Sequence, residues 1–204
     1  DGVVATFNHK ICDTTVGDDF KLGATLCNWP DRNVTKETDL INMNAVYPVL
    51  LTFSERCWSG GGWENYATDI SIPGSEKYSA FKNFESRLLI HKEKYFKKVS
   101  FPYFKQSQIE WTLVGPFDNN GNTSKPFNIE KMEQLDSIQK INNLKVYGST
   151  IWLRHFWDPM IKSHLSKQND SVTYYAVTKI WSDKAELKNF WIGFNNLSRS
   201  TASD

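Results

Sequence analysis

The stretch LGATLCNWPDR, Leu22 to Arg32, decides how the rest of the chain is read. Leu22–Asn28 is a short, nearly uncharged apolar run, and a run of that length suits a strand buried on both faces, as in a parallel sheet. It ends at Trp29-Pro30. Pro30 has no N–H for a central ladder, so the chain must turn there. Asp31, Arg32 and Asn33 continue as a polar loop. An indole directly after a buried strand, with a carboxylate two residues on, sits at the strand's C-terminal mouth, where parallel α/β architectures build their sites. A Trp face can cover the C–H face of a pyranose ring, and a carboxylate can accept hydrogen bonds from two neighbouring hydroxyls. Spacing alone leaves a competing explanation open, in which Trp29 packs on its loop and Asp31 caps the helix that follows.

That helix is expected from Glu37 to Trp58. Leu40, Met43, Tyr47, Leu50, Leu51, Ser54, Cys57 and Trp58 step by three or four along it, apart from adjacent pairs. Pro48 interrupts the pattern and should kink or divide the helix. Gly60-Gly61-Gly62 supplies an abrupt stop, and with no Lys-Ser/Thr after it the run is no phosphate loop. A second helix follows Pro73-Gly74, with Ser75 as N-cap and Glu76 in the first turn. Tyr78, Phe81, Phe84, Leu88 and Tyr95 mark its apolar face. Lys92, Lys94, Lys97 and Lys98 load its C-terminal end, where they favour the helix dipole and read as solvated.

Near residue 100 the pattern changes. Ile109–Val114, Tyr147–Phe156, Thr173–Trp181 and Phe190–Phe194 are rich in β-branched and aromatic residues, with Gly, Pro, Asn and Asp between them. Thr173–Trp181 alternates most cleanly, the signature of an antiparallel sandwich. Gln134–Leu144 is polar and reads as a connection. The whole is an α/β segment joined to a β-sandwich-like segment, and neither half is complete. One strand and two helices cannot close a parallel sheet, and four or five strands leave a sandwich edge open.

Composition narrows the classes. With 24 Lys+Arg against 23 Asp+Glu the formal net charge is +1, so nothing electrostatic points to nucleic acid. No apolar run is long enough to span a bilayer, and the start, Asp1-Gly-Val-Val-Ala, shows no signal peptide. Aromatics reach 14% of residues, high enough for a ring-filled core or for surfaces that stack on sugars. Cys12, Cys27 and Cys57 are an odd set without C-x-x-C spacing and read as small buried hydrophobes. His9, His91, His155 and His164 are scattered and give no metal-ligand spacing. G-x-S-x-G, H-E-x-x-H and G-x-G-x-x-G are all missing, as is any Asp-Glu dipeptide.

Taken in order, LGATLCNWPDR and MNAVYPVLLTFSERCW resemble the end of the catalytic barrel of glycoside hydrolase family 20, the β-N-acetylhexosaminidases. The first is similar to the eighth barrel strand, where a Trp is followed two residues later by an acidic residue. The second is similar to the last barrel helix, with its Ser/Ala-Glu-Arg-x-Trp ending. The resemblance continues, within a bacterial branch, through FESRLLIHKEKYF, EWTLVGPFDNNGN, YGSTIWLRHFWDP and FWIGFNNLSRS.

This resemblance implies the last part of a TIM barrel over residues 1–97 and an all-β sandwich-like accessory domain over 98–204, both truncated. It also implies hydrolysis of terminal β-linked N-acetylglucosamine or N-acetylgalactosamine. There the substrate's own acetamido carbonyl attacks the anomeric carbon, assisted by an Asp-Glu pair on an earlier strand. No such pair lies in this chain, so the chain alone is expected to be inactive, with the preceding part of the same protein as its natural complement. Trp29 carries over as a wall of the terminal-sugar pocket, and Asp31 as the group bonding the distal hydroxyls. Arg32 is placed to pair with Asp31 or with a more distal ligand group. The family more often has Glu where Asp31 stands, so the carboxylate here reaches less far by a methylene. No cofactor is implied. The partners would be N-acetylhexosamine-containing glycans, met in the periplasm, at the cell surface or outside the cell. A competing expectation is a non-catalytic carbohydrate-binding or structural β-sandwich module, carried by Trp152, Trp157, Trp181 and Trp191. Alternate burial of aromatics in sandwich strands accounts for those indoles as core instead.

Overall fold

The helix expected across Pro48 starts directly after it, with residues 46–48 non-helical. The computed structural model describes residues 2–10, 19–20, 22–27, 35–36, 38–39, 46–63, 69–132, 135–138, 141–153, 162–167, 169–190 and 192–193. Within these, helix α1 spans Gly2–Asn8 and helix α2 spans Val49–Ser59, starting directly after Pro48 and stopping at Gly60. Helix α3 runs Glu76–Tyr95. Its N-cap is Ser75, whose hydroxyl accepts a hydrogen bond from the Tyr78 N–H at 3.2 Å, with Glu76 in the first turn. The chain gathers into two compact units, Asp1–Ile109 with Tyr147–Thr150, and Glu110–Val146 with Ile151–Asp204.

The first unit is held by an aromatic core. Val3, Val4 and Phe7 of α1, Phe81, Phe84 and Leu88 of α3, and Ile70, Phe101 and Tyr103 are all buried. Phe7 stacks on Phe84 at 5.0 Å and meets Phe81 edge-on at 5.3 Å, the two geometries favoured by the ring quadrupole. Gly62 permits the close approach that seats this core, since a Cβ there would lie 2.5 Å from the His9 carbonyl oxygen. Tyr95, expected on the buried face of α3, is 61% exposed and packs its ring against His91 of the same helix at 5.4 Å.

The second unit is built on a three-stranded sheet of order β2-β1-β3, with β1 at Glu110–Asp118, β2 at Asn143–Tyr147 and β3 at Val172–Thr178. The β1 and β3 strands pair antiparallel from Trp111 opposite Thr178 to Asp118 opposite Val172, with an irregularity between Val114 and Phe117. Behind the sheet, Val114, Ile129 and the Ile138 of the short helix α4 (Leu135–Ile138) form a small core bordered by Phe117, Phe127 and Tyr175.

Several expectations need correction. Residues 22–27 form no strand and are exposed, because a strand exists only by pairing and no described residue offers that run a ladder. The stripe of α2 holds only in part: Tyr47 and Leu51 pack against the core, but Ser54, Cys57 and Trp58 face solvent, Trp58 at 92%, while Thr52 and Arg56 are buried. Cys27 and Cys57 are thus free, exposed thiols and not core residues. Strand β2 ends at Tyr147, where a strand was expected to begin. Gly148 turns the chain there at φ 109, and the strand starts at Asn143, inside the stretch expected to be a connection. Residues 190, 192 and 193 carry no strand. Trp181 is 86% exposed and so is no core indole, while Trp152 is half-buried. Trp157 and Trp191 lie outside the described residues.

Candidate functional site

Three regions of the first unit bear on the site: the expected pocket residues, the Ser54–Trp58 end of α2, and the buried Glu85 of α3. The pocket residues proper, Trp29, Asp31 and Arg32, lie outside the described residues. The six residues leading to them are solvated, Leu22 at 93% exposure and Leu26 at 38%.

The Ser54-Glu55-Arg56-Cys57-Trp58 end of α2 is better defined. The Ser54 hydroxyl donates to the Leu50 carbonyl at 2.9 Å, a local bond within the helix. Glu55 pairs with Arg87, which ties the end of α2 to the middle of α3. Arg56 lies with its guanidinium 4.0 Å above the Phe7 ring and donates from Nη1 to the Gly60 carbonyl at 2.8 Å, so it both caps the helix and roofs the aromatic core. Its Nε is buried without a hydrogen-bond partner. Burial holds the Arg56 pKa below its ordinary value, with Glu55 opposing that effect. Gly61 keeps this arrangement open, since a Cβ there would meet Nη1 at 2.8 Å. The Glu and Arg of this motif therefore serve as a brace.

Glu85, on α3, is the buried polar centre that the sequence reading missed. It is wholly buried, and its carboxylate accepts from the Tyr103 hydroxyl at 2.7 Å, from the Gln106 N–H, and from the Ser107 N–H at 3.2 Å. Burial, followed by the neighbouring Glu85, raises the Tyr103 pKa far above the ordinary tyrosine range, so Tyr103 stays a donor at any physiological pH. Gln106 passes the constraint on, its Oε1 accepting from the Ser149 N–H at 2.7 Å. Tyr78 adds a bond to the Ser107 carbonyl at 2.8 Å, and Lys92 one to the Tyr103 carbonyl at 3.0 Å. Lys92 is thereby a structural donor, whereas Lys94, Lys97 and Lys98 are exposed as expected. The available signal was the position of Glu85 four residues after Phe81 and three before Leu88, which sets a carboxylate inside an apolar stripe.

Beside this network a cleft of about 280 Å³ opens in the first unit, with Tyr47-Pro48, Tyr103-Phe104 and Ser149-Thr150 on its walls. Among the described residues no group of His, Cys, Asp and Glu is arranged to hold a metal ion, and no helix is long and apolar enough to cross a membrane. Comparison with protein-family models, with curated proteins and with solved structures returned no match to this chain.

Proposed function

We propose that this chain is the C-terminal part of a glycosidase of the β-N-acetylhexosaminidase type, supplying the terminal-sugar wall of a catalytic barrel and an accessory β-domain. The observation that carries the reading is a pair of elements patterned for burial and left in solvent. The Leu22–Cys27 run is exposed along its length, and α2 turns Trp58 outward at 92% exposure while burying an arginine. Apolar strands and helix stripes of this kind belong between neighbours, and a barrel wall provides neighbours on both sides. In that setting Trp29 would stack on the terminal N-acetylhexosamine and Asp31 would accept from its distal hydroxyls. Arg32 would hold Asp31 or reach a more distal group. The acid/base Asp-Glu pair would come from outside this chain, which by itself should not turn over substrate.

A chromogenic N-acetyl-β-hexosaminide tests the reading. The 204-residue chain should release no chromophore, and turnover by the purified chain would sink the reading.

A second reading is favoured by one specific observation. Trp181 is 86% exposed, and its indole N–H is fixed by Asp183 Oδ1 at 3.0 Å. A held, solvent-facing indole beside a carboxylate has the make-up of a sugar platform in a carbohydrate-binding module. Retention of glycans on an affinity column that is lost in Trp181→Ala and kept in Trp29→Ala would favour the module over the barrel pocket.

A further inference from the structure

We infer that the cleft of the first unit is itself a binding site for a neutral pyranose ring, built without Trp29, Asp31 or Arg32. It rests on the glycosidase reading only for the choice of sugar used to probe it.

The lining sets the chemistry of the ligand. No Asp, Glu, Lys or Arg is among the described residues on its walls, so an ionic ligand would be desolvated there with no countercharge. A purely apolar ligand fits no better, because Ser149 and Thr150 bring their hydroxyls to within 3.5 Å of each other on one wall. Opposite in character is Phe104, a large ring left 67% exposed and offering a flat apolar face. A pyranose has both halves of this pattern, an apolar C–H face for a ring and vicinal hydroxyls for paired donors and acceptors. The cleft volume, about 280 Å³, suits a group of monosaccharide size.

The walls are also fixed before any ligand arrives, which lowers the ordering cost of binding. One buried carboxylate holds two of them. Glu85 fixes Tyr103 through its hydroxyl and Gln106 through its N–H, and Gln106 in turn fixes Ser149. The third wall is equally held, since Pro48 is buried and the Tyr47 ring lies parallel to Phe101, 8° apart in plane at 6.3 Å. Phe104 is the exception, and its exposure with the neighbouring residues tied down is what makes it the contact surface.

The test is an amide-resolved NMR titration of the full chain with methyl N-acetyl-β-glucosaminide, run on wild type, Phe104→Ala, Thr150→Val and Trp29→Ala. Phe104 is exposed, so its truncation leaves the fold intact, and unchanged amide positions for α3 verify this. In the wild type the amides of 103–106 and 147–150 should shift saturably. The affinity read from them should fall about tenfold in Phe104→Ala, the value of one stacked ring, fall in Thr150→Val, and hold in Trp29→Ala. Shifts confined to the residues around Trp29 would overturn this site while leaving the glycosidase reading in place. An unresponsive 103–106 and 147–150, or equal binding of a negatively charged uronic acid in the same place, would overturn it outright.

Discussion

The two units of this chain solve the same problem by different means. The first fills its interior with rings contributed by helices α1 and α3 and then inserts one fully bonded carboxylate, Glu85. The second closes three strands over a mainly aliphatic core, in which Val114, Ile129 and Ile138 cluster with Phe117, Phe127 and Tyr175 at their edge and Leu113 and Val146 are buried in the strands, among the described residues. The difference teaches where stability should reside. Packing and buried hydrogen bonds concentrate in the first unit, while the second relies on a ladder between strands far apart in sequence.

The largest expected effect is at the ring cluster. Phe81→Ala removes a fully buried ring and should cost about 3–5 kcal/mol, whereas Val114→Ala in the sheet core should cost roughly half as much. Urea denaturation followed by far-ultraviolet circular dichroism compares them, and an equal loss would break the contrast. Next comes Glu85→Ala, which strands the Tyr103 hydroxyl and two backbone N–H groups and should cost about 2–4 kcal/mol. Glu85→Gln keeps an acceptor oxygen and should recover part of that loss. A Glu85→Ala variant as stable as wild type would remove the network from the account. Ser75→Ala deletes the N-cap of α3 and should cost about 1 kcal/mol, visible as faster amide exchange at Tyr78 and its neighbours.

The smallest effect belongs to the second unit. Partial burial, followed by its bond to Glu130, pushes the Tyr175 pKa up to about 12 from 10.0. A raised pKa means the folded state holds the proton more tightly. Its contribution is therefore complete below pH 10 and lost as pH rises towards 12. In Tyr175→Phe this part of the alkaline decline should vanish, so melting curves of variant and wild type should converge between those two pH values.

What could be read from the sequence was local. Ser75 followed by Glu76, Pro48 before α2 and the glycines after Ser59 act within one turn of the backbone, and each falls where the sequence places it. Strand limits depend on distant partners. Asn143-Leu144 read as the end of a polar connection, yet the two open strand β2, whose Lys145 bonds Glu110 at 2.6 Å and Thr112 at 2.8 Å, and a charged lysine is characteristic of an edge strand. The 22–27 run shows the converse, a sequence with the composition of a buried strand and nothing described to pair with it. Site chemistry was legible in the same uneven way. The Glu-Arg of α2 could be located but its bracing role came from geometry, and Glu85 was hidden by an apolar face that seemed complete without it.

The central claim, that this chain ends a hexosaminidase-type barrel, is tested most directly by the coding sequence upstream of Asp1. The account predicts a strand-like apolar run ending in an adjacent Asp-Glu pair, within about 250 residues, the usual span of a barrel. An initiator methionine immediately before Asp1, or an upstream region of that length with no such pair, would contradict it.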